Sequence, residues 1–261
     1  METQQTHIRT EDGFNLDAVI SAPQNARKIV IMIHGLSADK DTEPVFMDLE
    51  KRLNAVGIAT LRFSSRAHGA SSGNPVNDYT ISGQLKDLEA VVSYAQNAHY
   101  TWIGLVGASF GGGAAALYAG AHADIINALC LVNPVLDYDT AFLNPTTQWG
   151  KDTFHDYAER LKKDGHIKVG WRKYMMGPVV FDEMKEYTPA EALQSYYNRL
   201  FIVHGSDDEI VAVKDVYDIF INLETDSKIM ESIPGGTHGF KEEDTRKEAV
   251  ELIEDFFASE G

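Results

Sequence analysis

The sequence has a single cysteine, few positive charges for its length and no long apolar run. Cys130 is the only cysteine among 261 residues, so no internal disulfide can form and nothing indicates an oxidising compartment. Because it lies in the apolar run Ala128–Val132, we interpret it as a buried small hydrophobic residue rather than a nucleophile. The 39 aspartates and glutamates outnumber the 23 lysines and arginines, giving a net charge of −16. That charge argues against a nucleic acid or an anionic membrane surface as partner.

Signals for export, membrane insertion and metal binding are also missing. The polar N-terminal residues 1–7 lack the basic start and apolar core of a signal peptide. No apolar run approaches the roughly 18 residues that span a bilayer, so we expect a cytoplasmic protein. No Cys/His cluster or His-x-x-x-His pair suggests a metal, and no glycine-rich loop suggests a phosphate site. The sequence therefore predicts no metal and no cofactor.

Apolar runs alternate with segments of helical periodicity along most of the chain. After a hairpin at 8–20, strands are predicted at 28–33, 58–63, 102–106, 125–132, 199–203 and 228–233. Helices are predicted between them with short connections, and Thr42-Glu43-Pro44 is a typical helix start. The continuous apolar run at 28–33 is typical of a central strand covered on both faces. This alternation predicts an α/β fold, with a mostly parallel sheet and helices on both faces.

The alternation stops between Val135 and Pro189. This segment is rich in aromatic residues and methionine, and its one strand-like run is the short Val179–Phe181. A structureless loop of that length is unusual inside a compact domain. We interpret 135–189 as an inserted, mainly helical cap over a binding site, with 1–134 and 190–261 as the core. Extra core helices without a ligand role are the alternative.

The stretch Gly107–Gly111 has the pattern Gly-x-Ser-x-Gly between an apolar run and a helical segment. This strand–turn–helix context is that of a nucleophile elbow, in which a serine lies at the tip of a tight turn and small flanking residues prevent collisions. We therefore predict that Ser109 is a nucleophile. A serine hydroxyl needs an adjacent general base, which in turn needs a carboxylate to orient it.

Candidate partners for this serine follow two later strands. Asp207 and Asp208 come after the strand at 199–203, and His238 comes after the strand at 228–233. Functional groups gather at the carboxyl ends of strands in such sheets, and the chain order Ser, acid, His is the one that accompanies the elbow. Each feature alone has an ordinary explanation as a turn, a helix cap or a solvated loop residue. Their combination favours a catalytic triad.

Together these motifs resemble the α/β-hydrolase superfamily, from about residue 12 to residue 257. The matching pieces are His34-Gly35, the elbow, the stretch 204–211 and Gly236–Gly239. The resemblance implies an eight-stranded α/β-hydrolase sheet with an inserted, mainly helical cap. It places the catalytic acid at Asp208, with Asp207 as second choice.

The resemblance also implies an oxyanion hole formed by the backbone N–H groups of Leu36 and Phe110. His34, His68 and His204 are interpreted as structural residues.

Within the superfamily the chain is similar to small, capped, intracellular carboxylesterases, a group that includes bacterial cinnamoyl (feruloyl) esterases and monoacylglycerol-lipase-like enzymes. The stretch His68–Gly73 matches the second half of their Phe-Asp-x-x-Gly-x-Gly-x-Ser-x-Gly loop. Ser64 and Ala67 replace the aspartate and the first glycine of that pattern. Because this loop borders the site in those enzymes, the two differences weaken any transfer of substrate specificity.

The resulting expectation is a serine hydrolase that cleaves short-chain or aryl (hydroxycinnamoyl) esters through an acyl-enzyme. Its partner would be a small-molecule ester, with no nucleic acid and no membrane, and a homodimer is left open. Activity should fall below about pH 6 as His238 becomes protonated. The alternatives are an aminopeptidase or acyl-peptidase in which Asp137 and Asp139 bind an amino group, a carbon–carbon bond hydrolase, and a non-catalytic member that only binds a ligand.

Overall fold

The computed structural model describes residues 2–170 and 172–259. Trp171, one of the aromatic residues of the predicted cap, lies outside these residues. Ten strands are described: β1 (Glu2–Arg9), β2 (Asn15–Ala22), β3 (Lys28–Ile33), β4 (Ala59–Phe63), β5 (Trp102–Ala108), β6 (Ile126–Val132), β7 (Ile167–Val169), β8 (Tyr174–Met176), β9 (Arg199–Gly205) and β10 (Lys228–Ile233). The α-helices are α1 (Phe46–Ala55), α2 (Ile81–Asn97), α3 (Phe110–Ala121), α4 (Gln148–Phe154), α5 (Tyr157–Asp164), α6 (Pro178–Glu183), α7 (Pro189–Leu193), α8 (Val213–Ile221) and α9 (Glu243–Ala258).

Eight of the strands form one sheet in the order β1-β2-β4-β3-β5-β6-β9-β10. Six neighbouring strands are parallel to one another, namely β4, β3, β5, β6, β9 and β10. Strand β2 is antiparallel to both of its neighbours, β1 and β4. The predicted mostly parallel, eight-stranded sheet is therefore confirmed. Its parallel strands all end at the same edge, which is where the predicted site residues follow them.

Two apolar layers cover the sheet. In β3 the side chains of Ile29, Ile31 and Ile33 belong to one layer, and those of Val30 and Met32 belong to the other. All five are fully buried, as expected for a central strand whose successive side chains point to opposite faces. Helices α2, α3 and α8 contribute to the first layer, and α1 and α9 contribute to the second. Helices on both faces were predicted and are confirmed.

The segment between β6 and β9 contains short elements. A five-residue π-helix at Asp139–Leu143 precedes α4, and β7 and β8 form an antiparallel hairpin. The strand-like run Val179–Phe181 is part of helix α6. Pro178 occupies the first turn of α6, where its fixed φ favours helix initiation. The hairpin was missed because strands of three residues are too short to show a period of two.

This segment packs closely against the start of α3. The rings of Tyr138 and Phe142 lie 5.3 and 5.5 Å from the ring of Phe110, centroid to centroid. The two ends of the segment are adjacent, since the N–H of Ala190 donates to the carbonyl oxygen of Leu136 at 3.2 Å. The division into a core and an inserted cap stays a prediction. Among the described residues, no helix combines the length and the apolar character needed to cross a bilayer.

Candidate active site

Ser109 lies at the sharp turn between β5 and α3. Its backbone has φ +51° and ψ −119°, a conformation that is costly for any residue with a side chain. Neighbouring backbone groups hold it there. The N–H of Ser109 donates to the carbonyl oxygen of Val132, and its own carbonyl oxygen accepts from the N–H groups of Gly112 and Val135, all at 2.9 Å. The turn is therefore fixed to the end of β6.

Two glycines of the elbow allow α3 to lie close to the sheet. A Cβ added to Gly107 would lie 2.6 Å from the Cβ of Ala115, and one added to Gly111 would collide with the carbonyl oxygen of His34. A side chain at either position would push the helix away from the strands. Packing therefore requires glycine at both positions of the elbow motif. The Ser109 side chain between them is only partly buried.

The structure brings Ser109, His238 and Asp208 together. The Oγ of Ser109 lies 2.9 Å from Nε2 of His238. On the other side of the imidazole, Nδ1 lies 2.8 Å from Oδ2 and 3.0 Å from Oδ1 of Asp208. These contacts fit a neutral imidazole that donates from Nδ1 to the carboxylate and accepts the hydroxyl proton at Nε2. The arrangement has the order of groups that a nucleophile, its base and an orienting acid require.

Asp208 is buried and has several hydrogen-bond donors. Its Oδ1 accepts from the backbone N–H groups of Ile210 and Val211, both at 2.8 Å, and Nε2 of His204 lies 3.2 Å from Oδ2. Burial alone would raise the pKa of Asp208, but the charge of His238 and the hydrogen bonds from both histidines hold it well below its usual range. Asp207, the second choice, is exposed and accepts a hydrogen bond from the Ser206 hydroxyl.

Burial and the neighbouring carboxylates have opposite effects on the pKa of His238. Burial would lower the pKa of the imidazole, whereas the charge and hydrogen bond of Asp208 raise it, with smaller contributions from Glu43 and Glu209. The net result is a pKa of His238 above its usual value. The backbone N–H of His238 also donates to Oε2 of Glu209 at 3.1 Å, so this loop is held from both sides.

The backbone donors predicted for an oxyanion hole lie beside Ser109. Phe110 is the next residue, and a Cβ added to Gly35 would lie only 2.9 Å from the Cβ of Ser109, which places Leu36 next to the nucleophile. Within the described residues, neither the N–H of Leu36 nor that of Phe110 donates to a protein acceptor. Two unpaired N–H groups near a nucleophile are what a developing oxyanion needs.

Buried histidines support the loops around the site. Nδ1 of His34 lies 2.8 Å from the carbonyl oxygen of Gly35, and its Nε2 accepts from the N–H of Ser65 at 2.9 Å. Burial lowers the pKa of His34 to about 4, so the ring is neutral and carries its proton on Nδ1. The ring of His68 stacks on that of Tyr174 at 4.1 Å, centroid to centroid. These residues fix the loops and do not touch the Ser109 hydroxyl.

A cavity of about 310 Å³ opens above Ser109 and His238. Its walls are mainly apolar, and Phe142, Trp149 and Val169 come from the predicted cap. Charged side chains that also line it are Glu43, Glu209 and Lys241. Asp137 and Asp139 do not line this cavity. Oδ1 of Asp137 instead accepts from the N–H of Asp139 at 2.8 Å, so this pair is engaged in a local turn.

Two residues of the site were not predicted from the sequence. Asn133 has a positive φ of +43° and connects two strand ends, since its N–H donates to the carbonyl oxygen of Val203 and its Oδ1 accepts from the N–H of Gly205. An asparagine directly after a strand tolerates such a backbone, which is a signal that could have been used. Glu43 was interpreted only as part of a helix start; it does precede α1, but it also lines the cavity above Ser109.

Comparison with known proteins supports a hydrolase. Human monoacylglycerol lipase ABHD6 is 27% identical over 218 residues, a match that covers 75% of this chain and 57% of that protein. Monoacylglycerol lipase abhd6-A of Xenopus laevis is 34% identical over 137 residues, covering 52% of this chain and 36% of that protein. The chain therefore spans little more than half the length of the human relative, and about a third of the frog one.

Solved structures share the whole fold. Est1E from Butyrivibrio proteoclasticus, in a structure with ferulic acid bound, has a TM-score of 0.80 and 24% identity, and 97% of each chain is covered. The esterase Pf2001 of Pyrococcus furiosus has a TM-score of 0.73 and 19% identity, covering 98% of this chain and 92% of that one. The sequence model of the family described as serine aminopeptidase, S33, matches residues 24–176. Because this match covers more than half of the chain, the protein belongs to the S33 serine aminopeptidase family, and its fold is that of an α/β hydrolase.

Proposed function

We propose that the protein is a serine hydrolase that cleaves carboxylic esters through an acyl-enzyme. The observation that carries this proposal is the continuous contact from Ser109 Oγ to His238 Nε2, at 2.9 Å, and from His238 Nδ1 to Asp208 Oδ2, at 2.8 Å. The two unpaired N–H groups of Leu36 and Phe110 beside the serine add to it. A Ser–His–Asp contact chain at the floor of an apolar cavity, next to free backbone donors, fits acyl transfer.

The acylation half of the reaction uses each of these groups. Ser109 Oγ attacks the ester carbonyl carbon while His238 Nε2 takes the hydroxyl proton, and the carbonyl electrons move onto oxygen. The N–H groups of Leu36 and Phe110 stabilise that oxyanion, and Asp208 stabilises the imidazolium. The bond to the leaving alcohol then breaks as His238 returns the proton to its oxygen, which leaves an ester between Ser109 and the acyl group.

Deacylation repeats these steps with water. His238 takes a proton from a water molecule, the hydroxide oxygen attacks the acyl carbon, and the same two N–H groups hold the second oxyanion. Collapse of this intermediate breaks the bond to Ser109 Oγ, which recovers its proton from His238. The products are a carboxylic acid and free enzyme.

We propose short-chain or aryl esters, such as hydroxycinnamoyl esters, as the substrate class. A volume of about 310 Å³ lies at the small end of ligand pockets. Aromatic walls such as Phe142 and Trp149 suit an aryl group or a short acyl chain. The ferulic acid bound to Est1E supports the aryl member of this class. The monoacylglycerol lipases among the relatives support a glycerol ester with a longer chain as the competing substrate.

An aminopeptidase is the second candidate, because the family is named for that activity. The aspartate pair suggested for binding an amino group does not line the cavity, which weighs against that version. Glu43, a buried carboxylate in the cavity wall, is an alternative partner for an ammonium group. The two candidates share the triad, so only substrates separate them.

The test is turnover of a graded set of substrates by the wild type and by Ser109→Ala. We expect hydrolysis of p-nitrophenyl acetate and butyrate and of methyl ferulate, less of a long-chain monoacylglycerol, and little of an aminoacyl anilide. A fluorophosphonate probe should label the wild type but not Ser109→Ala, and Ser93→Ala, a serine on α2 away from the cavity, should label normally. Absence of Ser109-dependent labelling would overturn the enzyme assignment, and faster anilide than ester turnover would favour the aminopeptidase.

A further inference from the structure

Glu43 is a buried carboxylate whose presence the triad does not explain. It precedes α1, is only 6% exposed and lines the cavity above Ser109. No lysine or arginine in the described part of the chain forms an ion pair with it. Burying a carboxylate without a cation is costly, so such a group is expected to have strong hydrogen bonds or a role. Burial raises the pKa of Glu43 accordingly.

The hydrogen bond that Glu43 makes lies on the predicted oxyanion loop. Its Oε2 accepts from the N–H of Gly35 at 3.0 Å. The carbonyl oxygen of Gly35 is held in turn by Nδ1 of His34 at 2.8 Å. Buried side chains thus fix both polar groups of this glycine. The next N–H along the chain belongs to Leu36, and it is left without an acceptor among the described residues.

Glu43 and the nucleophile lie on the same side of Gly35. A Cβ added to this glycine would lie 2.9 Å from the Cβ of Ser109 and 3.5 Å from Oε2 of Glu43. The hydrogen bond of the Glu43 side chain among the described residues is the one to Oε2, and Glu43 is part of the cavity wall. The carboxylate of Glu43 therefore contributes to the electrostatic potential in the cavity that Ser109 and His238 also line.

We propose that Glu43 is a positioning residue of the oxyanion hole, which holds the Gly35–Leu36 peptide so that the Leu36 N–H faces the substrate oxygen. This inference rests on the proposed ester hydrolysis and adds a residue to it. Glu43 does not touch the reacting atoms. It acts through the loop and through the field at His238.

The electrostatic part of the proposal has several contributors. The negative charges of Asp208, Glu43 and Glu209 raise the pKa of His238. The charge of Asp39 raises the pKa of Glu43, and Lys241 is a cation in the cavity wall. Asp208 dominates because it bonds directly to Nδ1. Removing the charge of Glu43 should therefore lower the pKa of His238, but by less than removing the charge of Asp208 would. A residue with a merely structural role in the turn before α1 would leave that pKa unchanged.

The experiment compares Glu43→Gln and Glu43→Ala with Asp48→Asn, which removes one carboxylate from the exposed side of α1. Glutamine keeps an acceptor for the Gly35 N–H but has no charge, whereas alanine removes both. With p-nitrophenyl acetate we expect Glu43→Gln to retain kcat within about threefold at pH 8 and to shift the acid limb of kcat/KM down by on the order of 0.5 pH unit. Glu43→Ala should show the same shift and lose about 10- to 100-fold in kcat with KM little changed. Asp48→Asn should match the wild type.

A readout that does not depend on activity accompanies these assays. NMR titration of the His238 ring, assigned by comparison with His238→Ala, should give a lower pKa in Glu43→Gln than in the wild type. Circular dichroism at each pH shows that the variants are folded. An unchanged ring pKa in Glu43→Gln, or a kcat of Glu43→Ala within twofold of the wild type, would overturn the role of Glu43. A wild type that hydrolyses no ester would overturn the proposed function instead, and the titration would still decide whether Glu43 acts on His238.

Discussion

At the scale of single residues, His238 determines the pH dependence. Its pKa lies above the usual value because the charge and hydrogen bond of Asp208 outweigh burial, and an imidazolium cannot accept the Ser109 proton. A raised pKa keeps the ring protonated to higher pH, so activity should disappear earlier on acidification than the sequence suggested. We expect kcat/KM for p-nitrophenyl acetate to reach half of its maximum above pH 6.5. A half-point at or below pH 6.5, the ordinary pKa of histidine, would contradict this electrostatic balance.

Ser109 itself should reveal the strain of the elbow. Ser109→Gly and Ser109→Ala both lose the hydroxyl, but only alanine keeps a Cβ at φ +51°. Glycine adopts this region without penalty, so Ser109→Gly should exceed Ser109→Ala in free energy of unfolding by about 1 kcal/mol in urea titrations. The matched pair at Ser93, inside α2, should show the opposite order, because glycine weakens a helix relative to alanine. Equal stabilities of the two Ser109 variants would mean that the turn is unstrained.

The candidate triad could be predicted from the sequence because strand ends locate it. Ser109, Asp208 and His238 each follow a strand of the parallel sheet, and all such ends meet at one edge. Glu43 and Asn133 could not be found in this way. Glu43 is eight residues from its partner Gly35 in a loop without periodicity, and only the folded loop shows where its side chain points. Asn133 is bonded to Gly205, a contact between distant segments that a single sequence does not encode visibly.

At the scale of elements, the contact of α3 with the central strands depends on glycine. A Cβ at Gly111 would lie 2.7 Å from the carbonyl oxygen of Ile33 and would collide with that of His34. Backbone atoms cannot move aside as flexible side chains do. Gly111→Ala should therefore lower the free energy of unfolding by about 3 kcal/mol, although alanine favours helices.

Gly57, after the end of α1, provides the comparison for this prediction. An added Cβ there meets nothing within 4 Å, but φ is +85°, so Gly57→Ala pays only the conformational cost of about 1 kcal/mol. Urea unfolding of both variants measures the difference. If Gly111→Ala were as stable as Gly57→Ala, steric exclusion would not be what keeps a glycine in the elbow helix.

The elements themselves were predictable to different degrees. Long apolar or periodic runs, such as β3 and α9, have a burial pattern that the sequence shows directly. The short elements at 135–189 do not. In α6, β-branched residues form a helix because the start at Pro178 and the burial of Val180 and Phe181 outweigh intrinsic preference. For β7 and β8, the antiparallel pairing of two three-residue strands has no local signal in the sequence.

At the scale of the whole molecule, the order of the strands in the sheet could not be predicted from the sequence. The alternation of strands and helices predicted parallel pairing and two covered faces, but not that β3 lies between β4 and β5, or that β2 pairs with β4. These neighbours are decided by the packing of many side chains across long separations. The order matters for function, since it places β6 beside β5, where Val132 accepts from the N–H of Ser109, and β9 beside β6.

Urea unfolding tests whether the segment at 135–189 unfolds together with the sheet or independently of it. Its buried side chains, including Tyr138, Phe142 and Phe181, belong to the same apolar layer as α2 and α3, and its ends meet at Leu136 and Ala190. A segment that shares a layer with the sheet cannot lose its structure without exposing Phe110. We therefore expect one cooperative transition, in which peptides from α4 to α6 and peptides from β5 and β6 lose hydrogen-exchange protection at the same urea concentration. Earlier loss of protection in α4 to α6 alone would show an independently unfolding cap.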